Sequence, residues 1–81
     1  MHEVGLKRRA VRRGQIYERH DEDGLLRMMV IGYLRNRIDP SFDAVQCQVL
    51  SSDSNVYGPT GALWTFYIED IVSTWKLVSD A

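Results

Sequence analysis

The sequence has a single cysteine, two prolines and no long uninterrupted apolar run, and each of these scarcities excludes a class of protein. One cysteine, Cys47, excludes the intramolecular disulfide framework that holds together many small secreted domains. The longest nearly apolar stretch covers residues 25–34 and includes Arg27, so it is too short to cross a bilayer as a helix. Because the first residues also lack an apolar signal segment, we expect a cytoplasmic protein.

The sequence also lacks a recognisable metal-binding constellation. His20 stands beside three acidic residues, Asp21, Glu22 and Asp23. Adjacent residues rarely converge on one ion, and a tight turn ending at Gly24 accounts for the acids without a ligand. We therefore predict no metal site.

Candidate nucleophiles have no better support. Cys47 lies between Val45 and Val49 on an apolar strand face, which is typical of a small core residue rather than a reactive thiol. The hydroxyl residues of a long polar connection have no histidine near them in sequence: Ser51, Ser52, Ser54 and Thr60. Gly58 and Gly61 lack the lysine and hydroxyl pair of a phosphate-binding loop. We predict that the protein is not an enzyme and needs no cofactor.

What the sequence does contain is a series of short apolar stretches, rich in β-branched and aromatic residues and separated by turn residues. A chain of 81 residues has room for one small domain. We predict strands at residues 14–19, 25–35, 42–50, 63–68 and 75–78, with one helical turn at 70–74 before the last strand. The predicted architecture is an all-β, five-stranded antiparallel barrel over residues 14–81, preceded by a basic arm at residues 1–13.

Alternation along the strands predicts which side chains face the core. In the third strand the apolar face carries Val45, Cys47 and Val49, and the polar face carries Gln46 and Gln48. The second strand is apolar on both faces, with Met28, Val30 and Leu34 on one and Met29, Ile31 and Tyr33 on the other. Gly32 indicates a bulge or a sharp bend in that strand. Trp64 and Phe66 give the fourth strand the largest aromatic content, and the fold is expected to depend on them if they are buried.

Two segments resemble known small barrels. Residues 11–18, with the sequence VRRGQIYE, resemble the opening strand of several small barrel families, and the predicted order of elements is that of an SH3-like barrel. Together with WKLV at residues 75–78, this segment resembles short proteins of actinobacteria and their phages. The opening is also similar to that of plasmid-maintenance toxin endoribonucleases, but no counterpart of their later catalytic segment is present. That second resemblance therefore implies no active-site residue.

Charge is unevenly distributed although the net charge is only −1, because the head of the chain is basic and the tail is acidic. Five cationic residues fall within seven positions: Lys7, Arg8, Arg9, Arg12 and Arg13. Such a cluster is suited to phosphate contacts, so nucleic-acid binding through the arm is one hypothesis. The opposite charges of head and tail can also satisfy each other across a small fold.

A second hypothesis, which we favour, is a non-enzymatic module that binds another protein. The predicted contact residues are Tyr57 and Pro59 in the long connection at residues 51–61, with Tyr33 and Tyr67 on the barrel. On this hypothesis the arginines of the arm set the encounter rate or the orientation. The resemblance to phage proteins implies a regulator or inhibitor of a host enzyme or defence nuclease, and the strand edges leave a homodimer open.

Overall fold

The computed structural model describes residues 11–54 and 56–80, which form one antiparallel sheet and two short helical segments. The strands are β1 (Ile16–Asp21), β2 (Gly24–Leu34), β3 (Ala44–Ser52), β4 (Leu63–Tyr67) and β5 (Lys76–Ser79). One turn of 3₁₀ helix, Pro40–Phe42, joins β2 to β3, and helix α1, Ile68–Thr74, joins β4 to β5. The strand order β4-β3-β2-β1-β5, with a helix before the last strand, confirms the predicted small all-β fold of SH3-like order.

The core lies against one face of this sheet, which we call the inner face. It carries Val45, Cys47 and Val49, as the alternation in β3 predicts, and all three side chains are buried. Gln46 and Gln48 alternate with them on the outer face and are half-buried. The remaining members of the buried cluster lie in β1, β2 and α1, before β1 or just before β5: Val11, Tyr17, Leu26, Met28, Val30, Ile68, Ile71 and Trp75.

A β-bulge in β2 decides which side chains face the core. Val30 and Gly32 pair with consecutive residues of β3, which leaves Ile31 without a partner in β3 and confirms the predicted bulge. An extra residue in a strand moves every side chain after it to the opposite face of the sheet. Tyr33 therefore lies on the inner face and Leu34 on the outer face, which is the reverse of the alternation expected from the sequence.

The structure places the start of the helix earlier than the sequence pattern does. The pattern assigns Ile68 to the fourth strand and begins the helix at Asp70, whereas α1 begins at Ile68. The backbone N–H of Ile68 donates to the carbonyl of Asp43 at 3.0 Å, and the side chains of Ile68 and Ile71 are both fully buried. A helical turn directs positions i and i+3 to one side, so burial of both isoleucines requires the helix to begin at the first of them.

The aromatic side chains of β4 are less buried than their size leads one to expect. Trp64 is 38% exposed and Phe66 is half-buried, because β4 lies at the edge of the sheet. The cost of about 3–5 kcal/mol that accompanies truncation of a buried aromatic residue therefore does not apply in full to Trp64. Ile68 and Ile71 of α1 supply the deepest apolar burial beside β4.

Gly24, at the start of β2, packs directly against the connection that follows β3. Its φ of +109° lies in the left-handed region. A Cβ at this position would come within 2.6 Å of the Cβ of Asp53. The Asp53 carboxylate accepts the N–H of Leu25 at 3.0 Å, and the Asp53 N–H donates to the Leu25 carbonyl at 3.0 Å. The close approach that glycine permits thus holds the long connection to the β1–β2 hairpin.

Candidate functional site

The structure divides the four predicted protein-contact residues into two groups with different neighbours. Tyr33 donates its hydroxyl hydrogen to Asp43 Oδ2 at 3.0 Å, close to the 3₁₀ turn. Tyr67, at the end of β4, packs its ring against Phe42 of that turn. Tyr57 instead contacts Trp64, and Pro59 accepts the N–H of Ala62 through its carbonyl at 3.0 Å. Only the first pair therefore borders the junction of β2, the 3₁₀ turn and β4.

At that junction three large apolar side chains are exposed, and we name them the apolar corner: Leu34 (49% exposed), Phe42 (51%) and Tyr67 (52%). Leu34 and Tyr67 lie in one row across the sheet, on either side of buried Ala44 in β3. The Phe42 and Tyr67 ring centroids are 5.7 Å apart in an edge-to-face arrangement. Three elements thus contribute exposed apolar side chains to the same corner of the sheet.

The sequence pattern missed two of the three corner residues. It places Leu34 on a buried face, because it does not count the extra residue of the bulge. It also places Phe42 at the start of the third strand, whereas Phe42 ends the 3₁₀ turn. Pro40 and the backbone bond from the Phe42 N–H to the Asp39 carbonyl, at 3.0 Å, are the local features of that turn. The Asp39-Pro40 dipeptide, which favours a turn in the residues that follow it, is the signal that could have placed Phe42 in the turn.

Asp43 supports the apolar corner from within. Its side chain is buried, and its two carboxylate oxygens accept the Tyr33 hydroxyl at 3.0 Å and the Asn36 N–H at 2.8 Å. Its carbonyl accepts the N–H of Ile68. One residue therefore ties together the end of β2, the loop after it and the start of α1, so Phe42 extends from a fixed backbone.

Cationic residues lie beside the apolar corner. Arg35 follows Leu34 directly, Arg37 lies two residues further along, and both are exposed. Ile38, between Arg37 and the 3₁₀ turn, is 96% exposed. The ion pairs found within residues 11–54 and 56–80 use other arginines: Arg12 with Asp80, Arg19 with Asp21 and Arg27 with Glu18. The corner thus combines apolar side chains with two exposed arginines that take part in none of the ion pairs of the described residues.

Tyr57 belongs to a second aromatic group on the inner face. Its ring lies 5.3 Å from that of Trp64, and Trp64 Nε1 donates to the Tyr57 carbonyl at 2.8 Å. The Arg19 guanidinium lies 5.5 Å from the Tyr57 ring centroid and 4.7 Å from that of Trp75, and Arg19 also donates to the Tyr57 hydroxyl. These contacts fasten the long connection to the sheet, so half-buried Tyr57 has a packing role. Its predicted contact with a partner, and that of exposed Pro59, stays a prediction.

The basic arm is described only at its end. Lys7, Arg8 and Arg9 lie outside the described residues. Val11 is buried in the core, so residues 11–13, which the sequence assigns to the arm, are attached to the domain. Arg12 and Arg13 are both exposed. Of the two, Arg12 forms an ion pair with Asp80 at 3.1 Å. At this position a positive charge of the basic head pairs with a negative charge of the acidic tail.

A polar network around Gln15 joins the beginning of the described chain to its end. The buried Gln15 amide donates to Asp80 Oδ1 at 2.6 Å, and its Oε1 accepts the Tyr17 hydroxyl at 2.9 Å and the Arg12 N–H at 2.7 Å. The hydrogen bonds from Gln15 and Arg12 hold the pKa of Asp80 below its ordinary value. Burial, followed by the Asp80 charge, raises the pKa of Tyr17. The network links β1 to the residue after β5.

His20, its acidic neighbours and Cys47 are the remaining reactive side chains that the sequence singles out. His20 is exposed, and Asp21 accepts the Asp23 N–H at 2.9 Å, so the acidic residues belong to a turn. Among the described residues, no group of three or more His, Cys, Asp or Glu side chains is arranged to hold a metal ion. Burial raises the pKa of the Cys47 thiol to about 11. Within residues 11–54 and 56–80, no helix has the length and apolar character needed to cross a membrane.

No protein-family model, curated protein or solved structure matches this chain.

Proposed function

We propose that this protein is a protein-binding module and that the apolar corner is its contact surface. The main support for this proposal is that Leu34, Phe42 and Tyr67, each about half exposed, lie together at one junction of the sheet. Single exposed apolar residues are ordinary, whereas an exposed apolar group with polar neighbours is typical of interfaces. Aromatic anchors such as Phe42 and Tyr67 supply a large part of the binding energy in such surfaces.

The charges beside the corner favour a particular kind of partner. Arg35 and Arg37 are exposed and take part in none of the ion pairs found among the described residues. Positive side chains at the rim of an interface raise the association rate and the selectivity for an acidic partner more than they raise affinity. We therefore propose a partner segment with apolar or aromatic anchors and acidic flanking residues.

The corner is held in shape before binding. Asp43 fixes the backbone on both sides of the 3₁₀ turn, and Phe42 packs against Tyr67. A surface that is already ordered loses less conformational freedom on association, which leaves more of the contact energy for affinity.

A selected peptide tests this proposal. The full chain is used to select binders from a random peptide library, and the dissociation constant of an enriched peptide is then measured by fluorescence anisotropy. We expect enriched peptides to combine aromatic or aliphatic residues with Asp and Glu. Because Phe42 is an anchor, Phe42→Ser is expected to weaken binding by about tenfold or more, which corresponds to about 1.4 kcal/mol.

Val56→Ser is the matched control, because Val56 is an exposed apolar residue in the long connection rather than at the corner. The control is expected to bind the peptide as tightly as the unchanged chain, and both variants are first checked for the same urea midpoint. Peptides that bind the Phe42→Ser variant with unchanged affinity would show that the contact surface lies elsewhere.

A second candidate function, nucleic-acid binding, is favoured by one observation. Arg13 is exposed and precedes Gly14, whose N–H donates to the Val30 carbonyl at 2.8 Å, so Arg13 lies beside the half of β2 that leads to Arg35. Arg13 therefore adjoins the strand that leads to Arg35 and Arg37. Phosphate binding by this group predicts a steep loss of affinity for DNA or RNA between about 50 and about 200 mM salt.

A further inference from the structure

Strand β4 forms an edge of the sheet that lacks the usual protection. It pairs with β3 over all five residues, Leu63–Tyr67, without a shift in register. Its sequence, LWTFY, contains no charge, proline or glycine. Among the described residues, no strand pairs with its other side. Natural edge strands commonly carry lysine, proline or a bulge that prevents pairing with another chain, and β4 has none of these devices.

The opposite edge of the same sheet shows the contrast. Strand β5 has four residues, and one of them is Lys76. Its pairing with β1 shifts in register between Ile16 and Tyr17. Short length, a lysine and an irregularity are the features that keep an edge from accepting a further strand. The difference between the two edges singles out β4 as the side of the sheet on which a strand can be added.

The hydrogen bonds of β4 show which of its backbone groups point away from β3. The Ile68 N–H donates to the Asp43 carbonyl and the Val49 N–H donates to the Ala62 carbonyl. In an antiparallel pair, alternate residues bond to the neighbouring strand and the residues between them point the other way. The open edge is therefore lined by the backbone groups of Leu63, Thr65 and Tyr67, and each of these residues presents an N–H there. The carbonyls of Leu63 and Thr65 point to the open edge as well. The Tyr67 carbonyl is not available there, because it accepts the first hydrogen bond of α1.

We infer that β4 pairs with β4 of a second copy of this chain, in antiparallel orientation about a two-fold axis at Thr65. In this register Thr65 lies opposite Thr65, and Leu63 lies opposite Tyr67 in both halves. Two backbone hydrogen bonds form between the threonines, and each Tyr67 N–H donates to the Leu63 carbonyl of the other copy. Trp64 lies opposite Phe66 on the inner face. The two sheets become one continuous sheet.

A second copy fits this edge because of its charge and its symmetry. Identical strands place like charges near each other when they carry any, and β4 carries none. Each cross-strand pair in the proposed register is favourable, since Thr faces Thr and large apolar residues face each other. A net charge of −1 adds little repulsion between copies. The antiparallel pair also closes on itself, so it yields a dimer rather than a filament.

Short strands bury little area, so the dimer is weak and reversible. The dimer shares Tyr67 with the apolar corner, but Leu34 and Phe42 lie outside β4, so the two proposals are tested at different residues. A dimer that fails to form leaves the peptide measurement unaffected, and a peptide that fails to bind leaves the dimer unaffected.

Sedimentation velocity tests the dimer over concentrations from about 5 μM to about 1 mM. We expect the unchanged chain to move from the 9.3 kDa of one chain towards twice that mass as concentration rises. Thr65→Lys and Thr65→Glu each place like charges opposite one another, so each variant is expected to stay monomeric. Because a lysine at the two-fold axis then faces a glutamate, an equimolar mixture of the two is expected to dimerise again.

Thr60→Lys is the matched control, since it makes the same replacement at an exposed threonine of the long connection, and it is expected to dimerise like the unchanged chain. Near-ultraviolet circular dichroism verifies that every variant is folded. The inference is overturned by a chain that is monomeric throughout the range, by a Thr65→Lys variant that dimerises as before, or by a mixture that stays monomeric.

Discussion

Replacing Gly24 with alanine tests the packing of the long connection against the first hairpin. Two costs combine at this position. The φ of +109° is unfavourable for any residue with a Cβ, at about 1–3 kcal/mol. The added Cβ would also lie 2.6 Å from the Asp53 Cβ and 2.8 Å from its Oδ2, which forces Asp53 away. Losing the Asp53 hydrogen bond to the Leu25 N–H adds about 0.5–1.5 kcal/mol.

The sum is about 1.5–4.5 kcal/mol, in a domain of this size whose total stability is about 4–12 kcal/mol. Urea denaturation followed by tryptophan fluorescence measures the change. With a slope of about 1 kcal/mol per M, the midpoint of Gly24→Ala is expected to fall by about 1.5–4.5 M.

Gly61→Ala is the control for the backbone term, because Gly61 has a φ of +95° but a Cβ there would have no atom within 4 Å. It is expected to lower the midpoint by less than Gly24→Ala does. In a background that carries Asp53→Gly, the clash is absent, so Gly24→Ala is expected to cost about as much as Gly61→Ala. Equal costs of Gly24→Ala with and without the Asp53 side chain would refute the reasoning.

Three further predictions concern stability and reactivity. Ile71→Ala removes a fully buried side chain and is expected to lower the free energy of unfolding by about 2–5 kcal/mol, whereas Ile38→Ala, at a 96% exposed position, is expected to change it by less than about 0.5 kcal/mol in the same urea assay. The folded pKa of Asp80 lies below its ordinary value of 3.8, so the stability from the ionised carboxylate is complete above that pH and is lost as pH falls through the folded pKa. The urea midpoint of Asp80→Asn is therefore expected to fall less than that of the unchanged chain between about pH 5 and about pH 2, and equal falls would contradict this. Cys47, with its pKa raised to about 11 and its side chain buried, is expected to resist a thiol reagent at about pH 8 until urea unfolds the chain, whereas labelling of the folded protein at the rate of a free thiol would contradict the burial.

The sequence predicts the fold where one residue pattern has one structural solution. The alternation of Val45, Cys47 and Val49 has period two and a polar opposite face, so it specifies both a strand and its inner side. The order of β1 to β4 follows from antiparallel pairing of consecutive strands, whereas the position of β5 beside β1 follows from no local connection. The helix before β5 is predictable, but its first residue depends on the bond between Ile68 and Asp43, which are distant in sequence.

The candidate site is less predictable because it depends on a register and on contacts between distant residues. The bulge at Ile31 moves Leu34 to the outer face, and a count of alternate residues cannot reveal the shift. The ion pair of Arg12 with Asp80 joins residues 68 positions apart. The uneven distribution of charge in the sequence is compatible with that pair and equally with a nucleic-acid partner.

The most direct test of the proposed contact surface is a map of backbone amide shifts in isotope-labelled protein, recorded with the selected peptide and separately with a short oligonucleotide. We predict that the peptide shifts the amides of Leu34, Phe42 and Tyr67 and that the oligonucleotide leaves them unchanged. Shifts at Arg13, Arg35 and Arg37 on addition of the oligonucleotide, with no response of the corner to the peptide, would contradict it.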